Sequence, residues 1–114
     1  MNNVVISGKV AGDLEMKTTN KGLAYLKFRL LTKKTSSEQN NLFDSIPCVA
    51  WGKIVDKFKE VSKNDYLIIS GKISSNDYKT KDGRQINAVE IVVIDIEKIN
   101  TSDDNSSIKN TGAI

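Results

Sequence analysis

The feature that most constrains this chain is a period of two, repeated. Between Asn3 and Ile99, apolar and polar residues alternate through five separate stretches, and one short segment breaks the rhythm. Side chains two apart share one face of a pleated strand, so the pattern asks for a sheet with one face on a core. In Asn3–Ala11, Val4, Ile6, Gly8 and Val10 point inward, and Asn3, Val5, Ser7 and Lys9 outward. Gly8 inside that strand marks a bulge or a close backbone approach, as at the bend of a small barrel. Gly12-Asp13 turns the chain, Leu14 to Thr18 resumes an extended path, and Asn20-Lys21-Gly22 is a hairpin-type turn. Leu23–Thr32 puts Ala24, Leu26, Phe28 and Leu30 on one face and Tyr25, Lys27, Arg29 and Leu31 on the other. The stretch Phe43–Lys53, FDSIPCVAWGK, turns Ile46, Cys48 and Ala50 inward and Ser45, Pro47, Val49 and Trp51 outward. Pro47 has no N–H to give a ladder, which argues for an edge position or a bulge there. Tyr66–Ser74 carries Leu67, Ile69, Gly71 and Ile73 inward. Ile86–Ile99 is apolar on both faces between Ile91 and Ile96, more than one small barrel covers, which points to a subunit interface.

Lys53–Val61 is the exception. Ile54, Phe58 and Val61 recur at i, i+4 and i+7, with Val55 beside them, the spacing of a short amphipathic helix. Lys33–Asn41 is polar and poor in strand formers, so a mobile loop is expected. Ser75–Gln85 reads as a long polar hairpin tip turning at Lys81-Asp82-Gly83. The order is three strands, a helix and two strands. The reading is therefore an all-β fold: a five-stranded OB-fold, a Greek-key barrel with one short helix between the third and fourth of those strands. It occupies residues 1–100, and residues 101–114, rich in Ser, Asn, Thr and Asp, form a disordered polar tail.

Composition narrows the function. The 114 residues suit one domain, and 39% hydrophobic with 27% charged residues is an ordinary globular balance. No apolar run approaches the roughly 18 residues of a membrane span, and no leader precedes Met1-Asn2-Asn3, so a protein made and kept in the cytosol is expected. The lone Cys48 reads as an inert, core-facing hydrophobe. There is no histidine, which removes the commonest general base and metal ligand. Asp13, Glu15, Asp44, Asp56, Asp65 and Asp77 are scattered, with no pair at ligand spacing, so no metal, cofactor or enzymatic activity is expected. The net charge is +3, and Met16 to Ser37 holds Lys17, Lys21, Lys27, Arg29, Lys33 and Lys34 with no acid. Such a one-sided run is a solvated face or the electrostatic footprint of a polyanion binder.

Single-stranded nucleic acid presents a phosphate at every nucleotide and a base with two π-faces, so its sequence-tolerant binders combine a basic groove with spaced rings. Trp51 is then either a half-buried packing residue at a strand end or a stacking platform. Tyr78 is either a turn-side aromatic or, amid Lys79, Lys81 and Arg84, a contact for the same ligand. Lys9, Lys17, Lys27, Arg29, Lys33, Lys34, Lys53, Lys72, Lys79, Lys81 and Arg84 are the candidate phosphate partners. Tyr25 and Tyr66 read as packing or interface residues, Phe28 and Phe58 as core, and Lys57, Lys59 and Lys63 as a solvated helix face.

Five blocks in order, NNVVISGKVAGDLEMK, KGLAYLKFRL, IPCVAWGKIVDKF, SGKISSNDYKTKDGRQ and VEIVV, resemble the bacterial and phage single-stranded DNA-binding proteins over about residues 2–99. The resemblance implies base stacking on Trp51 and Tyr78, backbone contacts from Lys53 and Lys17, and Arg29 on the face that DNA crosses. It also implies roles in replication, recombination and repair, and a homotetramer built from dimers, with a dimer as the alternative. Two further aromatic positions of that family are Ser36 and Ser45 here, with Phe43 placed to substitute for the latter. Basic positions of the second hairpin arm are Ser74 and Asn76. The tail lacks the family's acidic, proline-and-aromatic ending, having only Asp103 and Asp104 opposed by Lys109. Weaker or less tightly wrapped binding follows, and these departures put recruitment of partners through the tail in doubt, as in an accessory phage or plasmid copy. The resemblance also implies a nucleoid-associated place in the cytoplasm, the host's if phage-encoded. The competing readings are an OB-fold adaptor for protein or RNA and an OB-like nuclease.

Overall fold

The computed structural model describes residues 1–34 and 42–99. They form β1 (Val4–Ala11), β2 (Met16–Thr18), β3 (Ala24–Lys33), β4 (Phe43–Trp51), β5 (Tyr66–Lys79) and β6 (Gln85–Ile99), with one helix, Gly52–Glu60, between β4 and β5. The sheet runs β1-β5-β6-β4-β3-β2, and a further β1–β3 pairing closes β1, β5, β6, β4 and β3 into a ring. This is the expected five-stranded barrel. The extended segment after Gly12-Asp13 survives only as β2, three residues laid on the outside of β3. All described strand pairs are antiparallel except β4 with β6, the Greek-key crossing.

Gly8 makes the closure possible. β1 pairs with β5 from Val4 to Lys9 and with β3 from Lys9 to Ala11, so it changes partner at this corner. A Cβ on Gly8 would stand 2.3 Å from the Leu31 carbonyl oxygen, so no side chain fits. The expected inward residues fill the interior: Val10, Leu26, Leu30, Leu67 and Ile69 are buried, and Phe28 tilts against Phe58 of the helix at 5.2 Å between ring centroids. Pro47 sits where the strand is locally an edge, because the β4–β6 ladder begins only at Cys48 opposite Ile91.

Four expectations need correction. The short helix stands where expected, but it is wound as 3-10 and does not follow the i, i+4, i+7 spacing: its buried residues Val55 and Phe58, and Val61 just beyond, recur every three positions, the period of a 3-10 turn, while Ile54 is only half-buried. The polar hairpin tip is mostly strand. β5 and β6 stay in register to Lys79 opposite Gln85, leaving only Thr80–Arg84 as the turn. Ile73, expected in the core, is 49% exposed, because among the described residues Ser74 to Glu90 pair only with each other and form an arm beyond the barrel. Val49, expected outward, is fully buried, since β6 lies alongside and Val92 is its register partner. The Ser36 position, most of the Lys33–Asn41 loop and the 101–114 tail lie outside the described residues.

Candidate nucleic-acid interface

The outer face of β3 and β4 carries the candidate site. On β3, Tyr25, Lys27, Arg29, Leu31 and Lys33 alternate outward; their β4 partners are Trp51, Val49, Pro47, Ser45 and Phe43. Register turns two aromatic residues far apart in sequence into one platform: Tyr25 and Trp51 stack with centroids 5.1 Å apart and planes at 29°. Trp51 keeps 41% of its surface exposed, so one face of the pair is packed and the other is open. Trp51 is thus both a packing residue and a ring presented to solvent. Gly52 follows at φ +72°, a left-handed turn that ends β4 just past the indole and starts the helix. Lys17 lies beside Tyr25 on β2.

Two hollows run along this face and share Lys27. One, of about 320 Å³, is lined by Asp13, Glu15, Lys17, Tyr25 and Lys27. The other, of about 360 Å³, is lined by Lys27, Arg29 and Pro47 together with Tyr78, Ala88 and Glu90 of the arm. A row of register partners, Lys27, Val49, Val92 and Lys72, crosses four strands, with a lysine at each end and buried or half-buried valines between. Exposed rings stand at intervals: Trp51 and Phe43 are eight residues apart on β4, about 27 Å, and Tyr78, 49% exposed, overhangs from the arm.

The candidate cations fall into groups. Lys17, Lys27, Arg29 and Lys72 share this face with Trp51 and Tyr78, Lys33 extends it opposite Phe43, and Lys53 is exposed in the first turn after Gly52. Arg29 is already held: its Nε donates to the Ser45 hydroxyl at 2.7 Å and its Nη2 to the Ser45 carbonyl at 3.3 Å. Lys34 is ion-paired with Asp44. Lys79 points to the opposite face of the arm from Tyr78, and Lys81 lies in the turn. Arg84 pairs with Asp82 at 3.2 Å. The Thr80 hydroxyl, then the Arg84 backbone N–H, hold the Asp82 carboxyl below its ordinary pKa.

A larger hollow, about 480 Å³, lies beside the helix and is lined by Asp56, Lys57, Lys59, Glu60, Val61, Ile96 and Lys98. Its lysines are already matched, Lys57 to Asp95 at 2.6 Å, Lys98 to Asp65 at 3.3 Å and Lys59 to Asp56 at 3.9 Å, so it is a poor groove for a polyanion despite its size. Among the described residues no three Asp, Glu or Cys side chains gather as a metal site. No helix among them is long and apolar enough to cross a membrane. Burial pushes the Cys48 thiol up to about 12, with Arg29 opposing and Glu90 adding to the shift, so the thiol stays protonated and unreactive. Sequence reasoning missed two residues of the face. Tyr25 was read only as a packing or interface residue, since its stacking partner is set by the β3–β4 register, and Glu90 carried no signal in the sequence beyond its charge.

Comparison with known proteins gives the family and the fold. The family described as "Single-strand binding protein family" matches residues 1–99. A "Single-stranded DNA-binding protein" of Clostridium tetani is 33% identical over 94% of this chain and 76% of its own length. "Single-stranded DNA-binding protein 3" of Clostridium acetobutylicum is 32% identical over 96% and 79%. Against the Malacoplasma penetrans relative, 26% identical, the chain spans only 56% of the longer protein. The solved structure titled "Plasmodium falciparum SSB complex with ssDNA" superposes with a TM-score of 0.75 over 88% of this chain and 96% of that one; at 17% identity it speaks to the fold alone. With a closed OB barrel, a basic outer face and a family match spanning the whole barrel, this chain belongs to the single-strand binding protein family.

Proposed function

We propose that this chain binds single-stranded DNA with no fixed sequence requirement and shields it during replication, recombination or repair. The observation that carries the reading is the Tyr25–Trp51 stack, open on one side and flanked by Lys17 and Lys27 on the same face. Bases stack on Trp51, Phe43 and Tyr78, and phosphates pair with the cations between the rings. Each stacked base contributes about 1–3 kcal/mol. The lysines add counterion release: if about four phosphates are neutralised per subunit, log K falls against log salt with a slope near −3, at about −0.7 per phosphate. Labelled oligo-dT titrated at low and high salt, against a duplex of equal length, tests this. Tight, salt-sensitive binding that the duplex does not reproduce is expected; equal binding to duplex overturns it.

The working unit in this reading is a homo-oligomer, a tetramer or a dimer. Two features support it. Among the described residues, Val4 to Gly8 of β1 pair on one side only, with β5, which leaves an open strand edge. Val5 is 69% exposed, and Ile94, the extra residue where β6 bulges opposite Ser70/Gly71, is 58% exposed. Sedimentation equilibrium decides the state, and a monomer at micromolar concentration would refute association.

A further inference from the structure

The second hollow holds a group that a purely electrostatic DNA groove would avoid. Glu90 lines it with Lys27, Arg29, Pro47, Tyr78 and Ala88. By alternation with Val92, the Glu90 side chain belongs to the outer face, beside Pro47 and opposite Ser74. It is half-buried, and it has no ion pair among the described residues: Arg29, the cation on the same hollow, is turned to Ser45 instead. Its one side-chain hydrogen bond among them is long, 3.5 Å, and is donated by the Asn76 side-chain amide. Tyr78 and Ile86 share this face four residues further along the arm, about 13 Å of strand, with only Asn76 and small Ala88 between. The hollow, about 360 Å³, is within the range that holds a small planar ligand.

A carboxylate among cations repels phosphate, so its worth here must come from a base edge. A carboxylate presents two parallel acceptors and no donor. Guanine alone among the DNA bases offers two adjacent donors, N1–H and the N2 amino group, on its pairing edge. Cytosine and adenine offer one amino group beside an acceptor nitrogen. Thymine offers one N–H between two carbonyl oxygens, whose lone pairs face the carboxylate. Resting on the single-stranded DNA reading above, we propose that Glu90, braced by Asn76, forms a guanine-preferring subsite in the hollow between Tyr78 and Arg29. The base lies against the Tyr78 ring with its pairing edge toward Glu90, superimposing a base preference on an otherwise sequence-tolerant groove.

The test compares wild type and Glu90→Gln on oligo-dT, on the same oligomer with isolated guanines too sparse to form quadruplexes, and with inosine replacing guanine. Wild type should favour the guanine oligomer over oligo-dT by at least about fivefold, the lower end of a bidentate base contact. Inosine, lacking the N2 amino group, should fall between. Glu90→Gln, isosteric but uncharged, should bind oligo-dT more tightly while losing most of the guanine advantage. Equal tightening on every oligomer would overturn the proposal, since it would make Glu90 only a repulsive charge. Oligo-dT binding without any guanine preference in wild type would overturn it too, leaving the parent reading intact. Failure of both proteins to bind oligo-dT would overturn both.

Discussion

Replacing Trp51 by alanine removes the ring on which the functional reading depends, and the structure sets the size of the effect. The indole is exposed on one face and stacked on Tyr25 at 5.1 Å on the other, so it has one face for a base. One lost base stack costs about 2 kcal/mol, roughly thirtyfold in affinity. Tyr25 has its ring under the indole and acts chiefly by fixing its plane; Tyr25→Ala should cost about 1 kcal/mol, roughly fivefold, from the value of an aromatic pair. The double variant should then bind about as weakly as Trp51→Ala alone, a coupling near 1 kcal/mol, since the support has nothing left to orient. Anisotropy titrations of labelled oligo-dT at fixed salt give the four constants, and circular dichroism confirms that each variant folds. Additive losses would refute the shared platform, making Tyr25 an independent contact. A Trp51→Ala protein within about twofold of wild type would refute the stacking argument itself.

Other outcomes follow from the same structure. Lys27→Ala should flatten the salt slope by about 0.7, whereas Lys34→Ala, already tied to Asp44, should change it by clearly less; equal changes would contradict the grouping. Gly8→Ala forces a Cβ against the Leu31 carbonyl, and roughly 2 kcal/mol of lost stability is expected, about 4–8 °C in Tm per kcal/mol; an unchanged melt would mean that β1 and β3 separate freely there. The Cys48 thiol, 2% exposed, should resist a thiol reagent at pH 8 until the chain unfolds. Its folded pKa of about 12 lies above the ordinary value of 9.0, so its contribution to stability is complete below pH 9 and is lost as pH rises toward 12. Rapid labelling of folded protein would refute that placement.

Much of this was legible in the sequence because a barrel strand writes its two faces in alternate residues. The alternation of Leu26, Phe28 and Leu30 with Lys27 and Arg29 is enough to assign the inner and outer faces of β3. Gly8 marked the corner because only a missing side chain admits the β3 backbone so closely. What alternation does not encode is register. The Tyr25–Trp51 stack and the Lys27–Val49–Val92–Lys72 row exist only once particular residues stand opposite one another. The arm was hidden for another reason: Ser74–Lys79 is polar on both faces because it pairs beyond the core, so it carries no hydrophobic signature of a strand. The helix misled through Ile54, whose place in an α period masked the three-residue spacing of Val55, Phe58 and Val61. Arg29 was visible as a charge, but its engagement with Ser45 was not.

The most direct test of the central claim is the fluorescence of Trp51 during titration with oligo-dT at low and then high salt. The sequence has one tryptophan, so the signal has one source. Strong quenching that high salt reverses and that duplex DNA does not reproduce is the predicted result, a base lying on the open face of the Tyr25–Trp51 pair. Unchanged emission while the oligomer demonstrably binds would contradict it, and would move the DNA path off the β3–β4 face.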